Sequence, residues 1–555
     1  LGSTANRPLA EVIAIPWTIG AVLMLRLFRV AGMLWVLFSL ISSSGCSSAE
    51  EEEAAPKAVA AAFPGISLKV GAIDDAGILA GVVSQRGEWN SSRGGQITIR
   101  EEPLSLETAS EADVLIFPAQ RLGDLADAEL LEIIPNSAVI PPPRAETSDG
   151  DGLDDSQSSP EVSSSSGESS ERPEDQFRYM DIAPVYRDQV VRYGTDRLAL
   201  PLGGTALVLV YRGDAFKREA NVLAARGLGI TLEPPATWTK LTALARFFDG
   251  RDWDGDGKAD RGIAFAMGAD PEGVANSVFL ARAASLAQHP DHFSMLFDTD
   301  KMAPRIAGPP FVEALLSLLE LKTLGPNGME KFDAAAAREA FRAGKVAMLI
   351  DRAERASTWS SGHAVSVARL PGSEKVFEPI RKSWETSAKP NNPTYLPQGG
   401  GWLVGVKRGL AGTTLKAAID LAKYLANPEN TNRLRAERTF PMLPVRTRQM
   451  SQGLPDPTSA PDVDVRLWSD AVRRTLLADR VVPGLRMPQA QGYLEDLTQG
   501  RLAAVAGEPV EKALEKVVEL WNKRTEAFGP KRQAWNYKQT LNKLVTSSTP
   551  PPRGQ

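Results

Sequence analysis

The residues best suited to chemistry lie in one short loop. Asp252, Asp254 and Asp256 alternate with Trp253 and Gly255, and Gly257, Lys258 and Asp260 complete the run. Carboxylates at the first, third and fifth places, a glycine at the sixth, a backbone carbonyl at the seventh and an acid at the ninth form the ligand pattern of an oxygen-coordinated calcium loop. Ile263 occupies the twelfth place, where a bidentate glutamate usually closes the shell. The expected metal ligands are therefore Asp252, Asp254, Asp256, the carbonyl of Lys258, and Asp260. They would hold a structural Ca2+ that staples a turn. No other cofactor is required.

Other chemistries find little support. Three histidines (His289, His292, His363) and one cysteine (Cys46) are too few for a Cys/His zinc site, and a lone cysteine forms no internal disulfide. No histidine sits in a Gly-x-Ser-x-Gly or His-Glu-x-x-His setting, and no phosphate-cradling glycine loop with its lysine occurs. A glycosidase working with two carboxylates alone is left open by motif, but the chain reads as a non-enzyme. The net charge of −5 is concentrated in residues 145–176, where ten acids meet one arginine. No basic patch offers itself to nucleic acid.

The elements that must position such residues follow from composition and periodicity. A chain of 555 residues, 43% hydrophobic and 24% charged, has room for two to four domains and is unlike a bundle of membrane spans. Arg26 and Arg29 precede the apolar run 33–41 and then Ser42-Ser-Ser-Gly-Cys46, the order of a secretory signal ending in a lipoprotein cleavage site. Residues 1–45 are read as leader, with Met24 as an alternative start. Cys46 is read as the lipid anchor and 46–60 as a polar tether. Ser43 stands where such sites usually carry leucine, so a plain cleaved signal or an N-terminal anchor helix is the competing reading. The acidic, serine-rich 145–176 has almost nothing to bury and is expected to be an unstructured loop insertion.

Strand patterns at 63–73, 95–100 and 112–117, with a helical pattern at 76–85, predict alternating β and α elements, and so an α/β sheet flanked by helices. Two extended segments in 194–211, joined by Pro201 to Gly204, suit a crossover between lobes. Thr237 is placed to cap a helix. A strand at 399–406 is entered through glycines, 377–398 reads as irregular, and 462–528 reads as packed helices.

The succession of Leu198-Ala-Leu-Pro201, Pro235-Ala-Thr-Trp238, Phe341-Arg-Ala-Gly-Lys-Val-Ala-Met348, the glycines before Trp402, Phe440-Pro-Met-Leu-Pro-Val-Arg446 and Gly507-Glu-Pro-Val-Glu-Lys-Ala-Leu514 resembles the family 1 extracellular solute-binding proteins of bacterial ABC importers, the maltose-binding-protein-like group, here of lipoprotein type. The resemblance implies a two-lobed periplasmic-binding-protein fold, each lobe a mainly parallel sheet with flanking helices and a ligand cleft between them. Lobe 1 would comprise 61–200 and 404–446, lobe 2 would comprise 205–398 and 450–528, and 529–555 would be a C-terminal tail. It implies a periplasmic or cell-surface monomer that captures a small solute, a sugar or oligosaccharide, by hinge closure and delivers it to the membrane subunits of a permease. A lipid-tethered sensor of the same fold is the alternative.

For the cleft, the resemblance points to Gln120 and Arg121, with Gln120 standing where relatives carry an acid. It also points to Tyr493, followed by Leu494 in the place of a second stacking aromatic. Asp351 and Arg352 follow a strand that leads into the cleft, with Trp359 beyond. Asp74 closes the first strand. Gly400, Gly401 and Trp402 mark a crossover, with Trp402 the foremost candidate for stacking on a sugar, and Trp384 and Tyr395 follow at lower rank.

Overall fold

A computed structural model describes residues 61–141, 177–360, 362–436, 440–451, 460–541 and 550–552. The leader, Cys46, the tether and the acidic insertion of 145–176 lie outside the described residues.

Lobe 1 is built on β1 (Ser67–Ala72), α1 (Leu79–Arg93), β2 (Gln96–Ile99), β3 (Val114–Pro118) and the short α2 (Leu122–Asp127). All five residues of β3 are buried, as an interior strand covered on both faces requires. Gly94, in the left-handed region at φ 76°, ends α1 by returning its N–H to the Asn90 carbonyl. The chain leaves the lobe through β4 (Leu200–Gly204) and enters lobe 2 as β5 (Leu207–Arg212).

In lobe 2, α3 (Trp238–Phe248) starts at Thr237, whose hydroxyl accepts from the Lys240 N–H as expected of an N-cap. Then come β6 (Arg261–Ala264), α4 (Val274–Ala287), α5 (Pro309–Thr323), α6 (Ala334–Arg342), β7 (Val346–Arg352) and β8 (Val365–Arg369). The chain returns to lobe 1 with β9 (Gly401–Val406) and α7 (Gly412–Leu425). It passes once more to lobe 2 for α8 (Val465–Leu476), α9 (Ala490–Val505) and α10 (Val510–Phe528), and continues into α11 (Pro530–Thr540).

The first sheet has the order β2-β1-β3-β9-β4, with β1 parallel to β2 and β3, and β9 antiparallel to both neighbours. The second has the order β8-β5-β7-β6. The two-lobed α/β class is as expected, but lobe 2 is not mainly parallel. Only β6 and β7 run together, while β5 is antiparallel to β7 and β8. The reason is that β5 enters directly from the crossover, with no helical connection behind it to turn it round. Alternation along β5 divides the interior. Val208 and Val210 join the core shared with lobe 1, whereas Leu207, Leu209 and Tyr211 join the core under the C-terminal helices.

Two expectations are corrected. The stretch read as irregular holds a hairpin, Ser373–Glu378 with Ser383–Asn391, and a strand, Thr394–Leu396. Its alternating polar residues face solvent, which masked the pattern. The stretch read as a tail begins with α11, which buries Tyr537, Gln533 and Asn536. A mostly polar sequence conceals a helix whose buried face joins hydrogen bonds from Gln533 and Asn536 to the packing of Tyr537 on Phe297.

Candidate functional site

A cleft of about 270 Å³ opens where the two lobes and the returning crossover meet. Lobe 1 contributes Gln120. The crossover contributes Tyr395, Gln398 and Gly399, and α9 contributes Gln491, Leu494, Glu495 and Thr498. The turn into α4 brings Asp270, Glu272 and Asn276. The lobes touch at this edge. Gln120 donates to Gln491 at 2.7 Å, Asp124 accepts from the Gln489 N–H at 2.8 Å, and Gln491 donates onward to Glu495 at 3.0 Å. Gly123 packs so closely on the Arg486 and Met487 backbone that a side chain would not fit.

Behind Glu272 lies a charge network. Arg338 grips Glu272 through both amino groups, at 2.8 and 2.9 Å, and donates to Asp351 at 2.7 Å. Arg352 reaches Glu272 at 2.7 Å and Arg355 at 3.1 Å. Burial alone would raise the Glu272 carboxyl, but the hydrogen bonds and charges of Arg338, then Arg352 and Arg355, outweigh it and hold it at about 2. Glu354 lies on the hinge side, where it accepts from the Thr205 hydroxyl in the crossover, and burial raises its carboxyl despite Arg352. Asp270 is spent on capping, accepting from the Ala275 N–H at 2.9 Å. With these charges satisfied internally, the cleft offers amides, hydroxyls and the Glu495 carboxylate.

Residues 106–457, more than half of the chain, match the sequence model of a family described as bacterial extracellular solute-binding protein. The chain belongs to that family. Among solved structures, its fold is similar to a solute-binding protein of an ABC transporter from Agrobacterium radiobacter K84 in complex with ribitol, at 17% identity and TM-score 0.55 over 83% of this chain and 99% of that one. It is also similar to maltose-bound MalE3 of T. maritima, at 15% identity and TM-score 0.54 over 83% and 100%. A third neighbour, from Agrobacterium vitis S4 with bound D-mannitol, shows 15% identity and TM-score 0.53 over 83% and 98%. Among curated proteins compared by sequence, none matches. The family is one of binding proteins rather than enzymes, and among the described residues no helix is long and apolar enough to cross a membrane.

In this solute-binding protein several expected ligand contacts have other duties. Trp402 is 9% exposed, lies outside the cleft lining and meets Phe440 edge to face at 4.7 Å. It is a strand residue of β9 paired with Gly203 and Pro118, so its ring covers the sheet. Tyr493 is fully buried between Phe297 and Trp521, with its hydroxyl bonded to Thr525, because the first turn of α9 directs it into the helical cap. Its neighbours Gln491 and Leu494 face the cleft instead. Trp359 is buried and donates to Asp351 at 2.8 Å, which makes both of them supports of the network. Arg352 reaches the cleft through Glu272.

Arg121 and Asp74 are brought together, but with each other, at 2.7 and 3.0 Å, and Asp124 lies 3.6 Å from Arg121. Gly400 and Gly401, both at φ 128°, let the backbone pass against Val190 and Gly203. Trp384 packs edge to face on Phe377 in the hairpin. Gln120 and Tyr395 do line the cleft. Among the lining residues not foreseen, beside Gln491, Glu495 and Thr498 of α9, are those of Asp270-Pro-Glu272-Gly273. Their signal was position, a loop between a strand end and a helix start, where α/β folds bind their ligands.

In the aspartate loop, ligand atoms of Asp252, Asp254 and Asp260 lie within 4.8 Å of one another. Asp256 stands apart from that group and pairs with the Lys258 side chain at 3.0 Å. Asp252 accepts from the N–H groups of Gly255 and Gly257, which shapes the turn. Asp260 is 8% exposed and its Oδ2 has no hydrogen-bond partner. Burial, then the carboxylates of Asp254, Asp256 and Asp252, push the Asp260 carboxyl up to about 6.

Proposed function

We propose that this protein is the extracytoplasmic receptor of an ABC importer, which takes a neutral sugar or polyol into the interlobe cleft and passes it to membrane permease subunits. The observation that carries this reading is the lining itself. The Gln120 amide of lobe 1 meets amides and hydroxyls from lobe 2 and the crossover in one small space, while Glu272 and its arginines neutralise one another. Such a surface hydrogen-bonds an uncharged polyhydroxy solute and offers no free cation to an acidic one. Glu272, ionised down to about pH 2 and held by three arginines, is unsuited to act as a general acid. A thermal-shift screen across sugars, polyols and uronates tests the reading. Stabilisation by neutral members supports it, and stabilisation by uronates alone contradicts it.

Two accessory features belong to the same reading. Cys46 carries lipid and tethers the protein at the membrane surface, and Cys46→Ser should release it into the soluble fraction. The pocket formed by Asp252, Asp254 and Asp260 holds Ca2+, with the unpartnered Asp260 oxygen as the supporting observation.

A further inference from the structure

The polar side chains around the cleft are mostly occupied with one another. Gln120, Gln491 and Glu495 form a chain of hydrogen bonds along one edge. Asn276 donates to the Leu494 carbonyl at 3.0 Å and to the Thr498 hydroxyl at 2.8 Å, and accepts from Arg501 at 3.1 Å. Thr498 donates to the Leu494 carbonyl at 2.9 Å and Ser277 to the Gly273 carbonyl at 2.7 Å, each one turn back.

Two lining side chains differ. Among the described residues nothing hydrogen-bonds to the Tyr395 hydroxyl or to the Gln398 amide. Both stand on the crossover that returns from lobe 2, Tyr395 in the strand Thr394–Leu396 and Gln398 in the turn that follows.

Tyr395 is 5% exposed, and its ring belongs to the core of lobe 2. Its hydroxyl lies beside Gly484, itself a lining residue, where an added Cβ would stand 3.0 Å from the oxygen. Burial pushes the phenol well above its usual range, so the hydroxyl keeps its proton as a donor. A buried hydroxyl left without a partner is costly, and a native fold that retains one calls for an explanation.

Gln398 is held at φ 51° and ψ 30°, in the left-handed region that a residue with a Cβ enters at a cost. Glycine would sit there without strain, as the next residue, Gly399, does at φ 75°. Gly399 admits no side chain, because a Cβ would lie 2.7 Å from the Gln120 backbone nitrogen. The turn is thus pressed against lobe 1, and the strained glutamine is left lining the cleft with its amide unused.

A phenol hydroxyl and a carboxamide both donate and accept, and so match the hydroxyls of a sugar, which do the same. Among the described lining residues Tyr395 is the one aromatic, and its face is covered, so the cleft offers no flat ring to stacked saccharide units. We propose that Tyr395 and Gln398 are the specificity-determining residues of the cleft, each hydrogen-bonding a hydroxyl of the solute, and that the solute is a single sugar ring or a short polyol rather than an oligosaccharide. This rests on the cleft being the solute site.

Titration calorimetry on the full chain with ribitol, D-mannitol, D-glucose, maltose and maltotriose, beside solute-free thermal melts, tests the assignment. One of the first three should bind more tightly than maltotriose. For the tightest probe, Tyr395→Phe and Gln398→Gly should each weaken binding about tenfold. Their melting points should equal or exceed that of wild type, since one change removes an unpaired hydroxyl and the other relieves left-handed strain. A purely structural role would lower the melt instead. One monodeoxy analogue of that probe should bind wild type more weakly than the parent does, yet bind Tyr395→Phe as well as the parent does. Variants that bind within twofold of wild type, or that melt several degrees lower, would overturn the two residues' role, and tighter binding of maltotriose would overturn the size class. If wild type binds none of the five, the inference falls together with the reading of the cleft as a sugar and polyol site. If it binds one and both variants match it, the inference alone falls.

Discussion

The two lobes meet the cleft with different materials. Lobe 1 presents the end of a buried sheet, where Trp402 is covered by Phe440, Arg121 is closed by Asp74, and Gln120 and Asp124 reach across. Lobe 2 presents a lattice of charge, with Glu272 gripped by three arginines and Asp351 held beneath. The first face is rigid through packing and the second through paired charges. The difference teaches that neither a conspicuous ring nor a conspicuous arginine is free to bind. Between them the cleft is lined by amides and hydroxyls, with the Glu495 carboxylate among them.

The sharpest break in the comparison is at Trp402. If its ring is part of the lobe 1 sheet, Trp402→Ala should cost about 3–5 kcal/mol of stability in a solute-free melt while affinity, measured on folded protein, stays within about twofold. A large loss of affinity with an unchanged melt would return Trp402 to the cleft.

Glu272→Gln attacks the opposite face. It leaves Arg338 and Arg352 buried without their shared anion and should cost roughly 3 kcal/mol by denaturant titration. The acid limb should change as well. With its folded value lowered from 4.5 to about 2, Glu272 contributes stability that is whole above about pH 4.5 and is lost as pH falls toward 2. The variant should therefore lose less stability than wild type between those values.

The aspartate loop lies in lobe 2 between α3 and β6, and if it holds Ca2+ as proposed, the ion should stabilise that lobe by about 2–3 kcal/mol at a hundredfold excess over its Kd. Melts in Ca2+ and in chelator measure it, and Asp260→Ala should abolish the difference. A difference that persists in Asp260→Ala would place the ion elsewhere.

The fold was legible because its signals are local. The unbroken apolar run of β3, the cap at Thr237 and the glycines ahead of β9 each prescribe one backbone outcome. The site was less legible because side-chain direction depends on contacts distant in sequence. Nothing near Tyr493 says that Thr525 and Phe297 will enclose it, and nothing near Arg121 says that Asp74 will neutralise it. Asp351 and Arg352 lie outside the cleft lining, and their partners Arg338 and Glu272 make them supports of the charge network. The polar face of α11 gave no periodic apolar signal, although Asn536 and Gln533 are as buried as any leucine.

The central claim, that the solute is held by amides from both lobes rather than by aromatic faces, is tested most directly by titration calorimetry with whichever neutral sugar or polyol stabilises the protein best. Gln120→Ala and Gln491→Ala should each weaken binding about tenfold, one lost hydrogen bond to a buried solute, with melting points near wild type. Trp402→Phe should bind as tightly as wild type. Undiminished affinity in both glutamine variants together with a tenfold loss in Trp402→Phe would contradict the account.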